Sequence, residues 1–371
     1  MKVLILSCNT GQGHNGAGQA IFENLKERGI SCDFIDALTF AGKTVSQKVE
    51  KTYNFITTRV PGIFGMLYKA GNFISKPDRK SPVYKANEHY KQQLYNFIID
   101  NKYTVIVTPH LFPAQTLSSL KESKKLNIPC IAIATDYTSI PFWEETRMDA
   151  YIIPHKDLIS DFISKGIPEE KLYPLGIPVK NEFKEKLSKT AAREILKIEQ
   201  DKPMYLIMTG SMGYGNVGSL IVSILKNYGN KVNIVVMGGT NKKLKSKLRD
   251  RFARQHNVYI KGFSNRIPLY MDACDILFTK PGGLTSTEAA VKNIPVILTE
   301  PIPGCETENA LFFNSKGMAF YDDNVKNQIS AAAKLIRNEQ AKADMLEAQK
   351  KEINSNACDD ICDFILNMIK S

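Results

Sequence analysis

Short apolar runs recur along the chain, and each ends in a turn signal: 3–6, 32–35, 105–108, 130–134 and 151–153, then 205–209, 232–237, 258–260, 276–279 and 296–298. Between most of them apolar residues return every three or four positions, as at 17–28, 84–100, 114–126, 191–196, 217–227, 242–256 and 285–292. The first pattern predicts strands and the second helices. Strands alternating with helices make parallel sheets joined by right-handed crossovers, so the expected fold class is α/β. Gly176 and Pro178, within 175–183, break both patterns and separate the two sets of elements. No apolar run approaches the ~18 residues that a membrane span requires.

At the end of the chain Cys358, Ile361, Cys362, Ile365, Leu366 and Ile369 fall on one helical stripe, with Asp359, Asp360 and Asp363 opposite. An acidic polar face suits a packing helix better than a membrane-binding one. The 371 residues are enough for two domains, each with its own core. The seven cysteines are scattered and mostly within apolar patterns, which predicts reduced core thiols. Cys358 and Cys362 have no partner pair of Cys or His nearby, so no zinc site is expected. The first apolar run meets Thr10 and Gly11 without a small-residue cleavage site, so it reads as a strand of a cytoplasmic protein.

Charge changes the picture. The net charge is +11, and residues 40–91 alone carry ten Lys or Arg against three acids. Tyr53, Phe55, Ile56, Ile63, Phe64, Met66, Leu67, Tyr68, Phe73 and Ile74 interleave with those cations. A basic segment with aromatic and aliphatic neighbours fits an anionic membrane surface, held peripherally; a solvated insertion packed on the first domain is the alternative. No nucleic-acid module is present, so nucleic acid is not an expected partner.

Candidate chemistry lies where strands end. After the first strand, Gly11, Gly13, Gly16 and Gly18 do not have the dinucleotide-binding spacing, but they surround His14. At the carboxyl end of a strand in an open α/β sheet, a histidine is placed to deprotonate a hydroxyl; the other reading is a histidine that only caps the helix. Gly210, Ser211, Met212 and Gly213 form a loop that can aim backbone N–H groups at a pyrophosphate, or an ordinary tight turn. Phe278 to Glu288 reads as a strand end, a glycine turn and a helix start, with Glu288 about one turn in, where a carboxylate can accept from ribose hydroxyls. The ligand expected from this geometry is a nucleotide sugar. No Asp-x-Asp pair occurs, so no metal ligand set is expected, and the charge on a departing diphosphate falls to helix N-termini and backbone N–H groups.

Lys280, Pro281, Gly282, Gly283, Leu284 and Thr285 with Glu288, and Pro303, Gly304, Cys305, Glu306, Thr307, Glu308 and Asn309, resemble the motifs of GT-B glycosyltransferases that glycosylate lipids, the monogalactosyldiacylglycerol synthase and processive diacylglycerol glucosyltransferase family. The resemblance covers nearly the whole chain. It implies two Rossmann-like domains facing across a cleft, with a C-terminal helix packing back. Residues 1–175 would be the acceptor and membrane-binding domain, 176–350 the UDP-sugar-binding domain, and 351–371 the helix crossing back to the first. It implies an inverting hexosyltransferase that makes glycolipid from a UDP-sugar and a diacylglycerol-type acceptor at the inner face of the cell membrane, without a metal cofactor.

By position, the resemblance makes His14 the base and Asp136 its partner. Gly210, Ser211, Met212 and Gly213 become the diphosphate loop; Phe263, Ser264 and Ile267 the uracil loop; and Gly282, Gly283, Leu284, Thr285 and Ser286 the second phosphate contact. Glu288 takes the ribose, and Glu306 and Asn309 the sugar. Arg59, Phe64 and Tyr68 of the basic segment, with Trp143, are the expected acceptor or membrane contacts. Two positions depart from the family pattern: Cys305 stands where Gln is usual and Ile140 where His is usual. They leave three sugars open (glucose, galactose and N-acetylglucosamine), as well as two other readings: a transferase or epimerase with a soluble substrate, and a non-catalytic nucleotide-sugar-binding regulator.

Overall fold

The computed structural model describes residues 1–74, 80–123, 125–210, 213 and 215–370, with the backbone alone at 54, 58, 59, 64, 67, 72–74, 369 and 370. The chain divides into two compact units. One is Met1–Asn181 with Pro303–Cys305 and Asn354–Ser371, and the other is Glu182–Ile302 with Glu306–Ile353.

In the first unit six parallel strands, β1 (Lys2–Ser7), β2 (Ser31–Asp36), β3 (Val105–Thr108), β4 (Cys130–Ile133), β5 (Ala150–Ile152) and β6 (Leu172–Tyr173), lie in the order β2-β1-β3-β4-β5-β6. Residues 3–6 of β1 are wholly buried, as expected of a central strand covered on both faces. Val3 stands opposite Val105 and Ile5 opposite Val107. Strand order reverses between β1 and β3, and a ligand crevice forms outside the carboxyl ends of strands at such a point. The second unit repeats the plan with β7 (Met204–Met208), β8 (Asn233–Met237), β9 (Val258–Lys261), β10 (Ile276–Thr279), β11 (Val296–Leu298) and β12 (Phe320–Tyr321), in the order β12-β11-β10-β7-β8-β9. Its reversal falls between β7 and β10, where Met208 pairs with Thr279.

Ile361, Cys362 and Ile365 of the last helix, Ala357–Lys370, join the core of the first unit beside Ala20, Ile21 and Leu25. Its acidic face is not simply solvated: Arg28 pairs with Asp359 and Asp363, and Asn24 donates to Asp359. The first unit runs on to Asn181, past Gly176 and Pro178, because Ile177 and Val179 are buried and Lys180 pairs with Glu23.

Three elements differ from the pattern read in the sequence. The first helix is Gln12–Glu27, so His14 sits in its first turn and not in a loop before it. Gly11, at φ +108°, makes the turn, and Gly18 allows the close approach: a Cβ there would lie 2.7 Å from the ring of Phe34. The helix expected over 84–100 is interrupted by a 3₁₀ turn at Glu88–Tyr90. Tyr84, Tyr90 and Leu94 all enter the core, and a spacing of six followed by four cannot keep one α-helical face without a tighter turn. Residues 43–74, without a clean period, form two helices, Lys43–Arg59 and Pro61–Ile74, the second opening on a proline. Among the described residues no helix is long and apolar enough to cross a membrane.

Candidate active site

At the β1/β3 reversal of the first unit, the loop leaving β1 is pinned by its own polar side chains: Ser7 donates to Asn15 (2.6 Å), Asn15 to Asn9 (2.9 Å) and Asn9 to Asp36 (3.0 Å). The next turn presents His14. Its Nδ1 lies 2.7 Å from the Thr135 hydroxyl, just beyond β4. Its ring meets that of His110, just beyond β3, edge to face at 4.8 Å. Burial pushes the His14 imidazole below its ordinary 6.5, against the charge of Asp136 and a hydrogen bond to the backbone of Pro109, which raise it. His14 is therefore a neutral base at neutral pH.

His110 is held in one tautomer. Its Nδ1 accepts the backbone N–H of Phe112 (3.1 Å), capping the helix Leu111–Glu122, so the proton lies on Nε2 and is directed at Thr10 Oγ1, 2.6 Å away. Burial first, and the neighbouring His14 second, hold it well below the usual histidine range. Thr135 and His110 were missed in the sequence reading, although both stand at strand ends, the position that singled out His14.

These groups border a cavity of about 360 Å³ within the first unit, polar along Thr10, His14, His110, Thr135, Asp136 and Thr138 and largely apolar elsewhere. Tyr68 and Cys305 line it, Tyr68 packing its ring against Gly304. Trp143 also lines it but is only 3% exposed, so it serves the cavity and not a membrane surface. Asp136 borders the same cavity and acts on His14 through charge; the hydroxyl on Nδ1 belongs to Thr135. The side chains of Arg59 and Phe64 lie outside the described residues. Around them Met66 is 72% and Phe55 60% exposed, beside exposed Lys48, Lys51 and Lys69. Other cations of that segment are engaged: Lys80 pairs with Glu122 and Lys91 with Glu88.

In the second unit a cavity of about 470 Å³ opens at the β7/β10 reversal, lined by Thr209, Gly215, Lys280 and Glu300 among others. Gly210 has φ +72°, and a Cβ there would stand 2.6 Å from Cε of Lys280, so the lysine stem lies across a turn that only glycine allows. Ser211 and Met212 lie outside the described residues, and Gly213 continues the turn at φ +70°. The helix Gly283–Lys292 has no side-chain cap, which leaves the N–H groups of its first turn, at Gly283, Leu284 and Thr285, for a ligand.

Several expected donor contacts are otherwise occupied. Ser286 is fully buried and its N–H is bonded to the Gly282 carbonyl, so its backbone is not available to a phosphate, whereas its buried hydroxyl has no hydrogen-bond partner among the described residues. Glu306 pairs with Lys280 and accepts the N–H of Ile302 (2.9 Å), while buried Asn309 donates to the Pro281 carbonyl (3.0 Å); both hold the proline-glycine turns in place. Phe263 is 63% exposed, Ser264 caps its own turn, Ile267 begins a helix, and Glu288 is half-buried; none of the four lines the 470 Å³ cavity. Among the described residues lining this cavity, Lys280 of the motif is the cation, and it is paired with Glu306.

The sequence matches the family model for monogalactosyldiacylglycerol (MGDG) synthase over residues 14–179 and that for glycosyl transferases group 1 over 188–352. A processive diacylglycerol β-glucosyltransferase of Staphylococcus saprophyticus is 29% identical over 372 residues, covering 99% of this chain and 93% of its own. That of Staphylococcus carnosus is 28% identical over 348 residues, 93% and 87%. Among solved structures, MurG of Acinetobacter baumannii superimposes with a TM-score of 0.63 at 16% identity, covering 99% of both chains. MnaA of S. aureus, solved with UDP, does so with 0.64 at 15%, covering 100% of this chain and 98% of its own. The structural likenesses establish the fold, and one fold hosts many activities.

Proposed function

The chain belongs to the monogalactosyldiacylglycerol synthase and processive diacylglycerol glucosyltransferase family of GT-B glycosyltransferases, and from that premise we propose that it transfers a hexose, with inversion, from a UDP-sugar to the free hydroxyl of a diacylglycerol-type lipid at an anionic membrane surface. It is a glycosyltransferase that makes glycolipid from a UDP-sugar. The single observation that carries the mechanism is His14: a neutral imidazole, lowered by burial, at the strand-order reversal of the first unit and on the wall of a largely apolar cavity.

The lipid's glycerol end would occupy the 360 Å³ cavity of the first unit with its hydroxyl toward His14. The hydroxyl proton passes to His14, the oxygen forms a bond to the sugar C1, and the bond from C1 to the diphosphate oxygen breaks, so UDP leaves with the electron pair. A single displacement of this kind inverts the anomeric carbon. Thr135 orients the imidazole, and the charge of Asp136 stabilises its protonated form. In the second unit, the first-turn N–H groups of Gly283–Lys292 would meet the charge that grows on the diphosphate, with the Lys280 ammonium, shared with Glu306, beside them. The protein would be held peripherally at the inner membrane face by exposed Phe55, Ile63 and Met66 and the lysines beside them.

The test is product formation. The purified chain is given UDP-glucose, UDP-galactose or UDP-N-acetylglucosamine with diacylglycerol in anionic vesicles, and UDP release and labelled glycolipid are followed. The reading expects lipid-dependent UDP release and one sugar clearly preferred. UDP release without a lipid product would overturn it.

A further inference from the structure

The excess positive charge has a second centre that the proposed activity does not use. Over residues 242–266 stand nine Lys or Arg (242, 243, 245, 247, 249, 251, 254, 261 and 266) and one acid, Asp250. The helix Lys242–Arg251 buries only Leu248. Lys242, Lys243, Lys247, Arg251 and Arg254 are exposed, and among the described residues none of them is paired with a carboxylate. Elsewhere in the same unit cations are neutralised, as in Lys280 with Glu306, Lys292 with Asp272 and Arg193 with Asp275. Unpaired like charges on one helix repel, and an anionic surface laid against them would relieve that repulsion.

The patch is continuous with the end of β9. Arg249 donates to the Ile260 carbonyl at 3.3 Å, and the chain runs on through Lys261 to Phe263, whose ring is 63% exposed, and then to exposed Arg266. Charge with a single protruding aromatic is what a headgroup layer accommodates: the cations sum over lipid phosphates while one ring enters the interface. A single-stranded nucleic acid would call for several aromatic faces in series, and only one is exposed here.

We infer that the face formed by Lys242–Arg251, Arg254, Lys261, Phe263 and Arg266 is a second membrane contact, on the donor-binding unit, that holds anionic phospholipid headgroups. This rests on the membrane reading proposed above and extends it to the other unit. A transferase whose acceptor stays in the bilayer gains residence time from each surface held there.

The experiment uses the full chain with phosphatidylcholine vesicles, with and without phosphatidylglycerol, read by co-sedimentation. Compared with it are K243Q/K247Q/R254Q, which leaves the donor cavity untouched, and F55S/M66S, which alters the first unit. Thermal melting and UDP calorimetry confirm that each variant is folded. The triple variant should bind phosphatidylglycerol vesicles roughly a hundredfold more weakly, about fivefold for each charge removed, with its UDP affinity unchanged. If it binds like the unmodified chain while F55S/M66S is released, the inference fails and the membrane reading stands. If the unmodified chain ignores phosphatidylglycerol, both fail. If it prefers a single-stranded RNA oligonucleotide to vesicles and the triple variant loses that preference, the face is a nucleic-acid site and the inference is overturned.

Discussion

Nδ1 of His14 and Oγ1 of Thr135 are 2.7 Å apart, although 121 residues separate them in sequence. The bond joins the first turn of the helix after β1 to the end of β4, and it fixes the ring that the proposed chemistry requires. Thr135→Val keeps the shape and removes the hydroxyl. A lost hydrogen bond of about 1.4 kcal/mol in the transition state is about tenfold in rate. Steady-state kinetics should therefore show kcat down about tenfold with UDP affinity unchanged. An unaltered kcat would mean that Thr135 does not orient the base.

His14 and His110 are both held below 6.5 in the folded protein by burial. Unfolded chains take up these protons near pH 6.5, so below that pH the unfolded state binds more protons and stability rises with pH. The first unit should therefore lose stability on acidification below ~6.5, by up to about 1.4 kcal/mol per pH unit for each histidine. His110→Asn retains an oxygen to cap Phe112 and removes one titration. Thermal melts from pH 7 to pH 5 should fall less steeply for this variant; a parallel fall would contradict the assignment. Activity, which needs neutral His14, should likewise be on its plateau at pH 7 and decline only in acid.

Gly210→Ala tests the donor turn. The substitution meets φ +72° and a lysine carbon 2.6 Å from the new methyl, so the turn or Lys280 must move. Strain of this kind costs roughly 1–3 kcal/mol. UDP binding by calorimetry should weaken by about tenfold or more, whereas vesicle binding should not change. Undiminished UDP affinity would place the diphosphate elsewhere.

Cys305→Phe tests the acceptor cavity. Cys305 lines the 360 Å³ space together with Tyr68 and Trp143, and a phenyl ring would fill much of what a glycerol moiety needs. The KM for diacylglycerol should rise about tenfold or more, since misplacing one reactant near the chemistry is costly, and UDP affinity should hold. Equal effects on both substrates would contradict the assignment.

Local pattern was enough to reveal ten of the twelve strands and the place of both strand-end glycine loops and His14, because alternation of strand and helix places loop residues at a sheet's carboxyl edge whatever their partners. It could not reveal partners distant in sequence. Thr135 and His110 reach His14 only because β3 lies beside β1 and β4 follows β3 in the sheet order, which no window of the sequence contains. Glu306 and Asn309 were read as sugar contacts from their place in a motif, yet their partners Lys280 and Pro281 lie 26 and 28 residues away and occupy them. Ser286 illustrates the same limit: one turn of helix separates an N–H aimed at a ligand from one already bonded to Gly282. The two-residue strands β6 and β12 are too short to leave a pattern, and they exist because a neighbouring strand offers an edge.

The central claim is that His14 is the base for lipid glycosylation. Its most direct test is His14→Ala, compared with the unmodified chain for glycolipid formation from the preferred UDP-sugar and for UDP affinity by calorimetry. The account predicts transfer reduced by about 10²–10⁴, the usual contribution of a positioned general base, with UDP affinity unchanged. Transfer at the unmodified rate would contradict it.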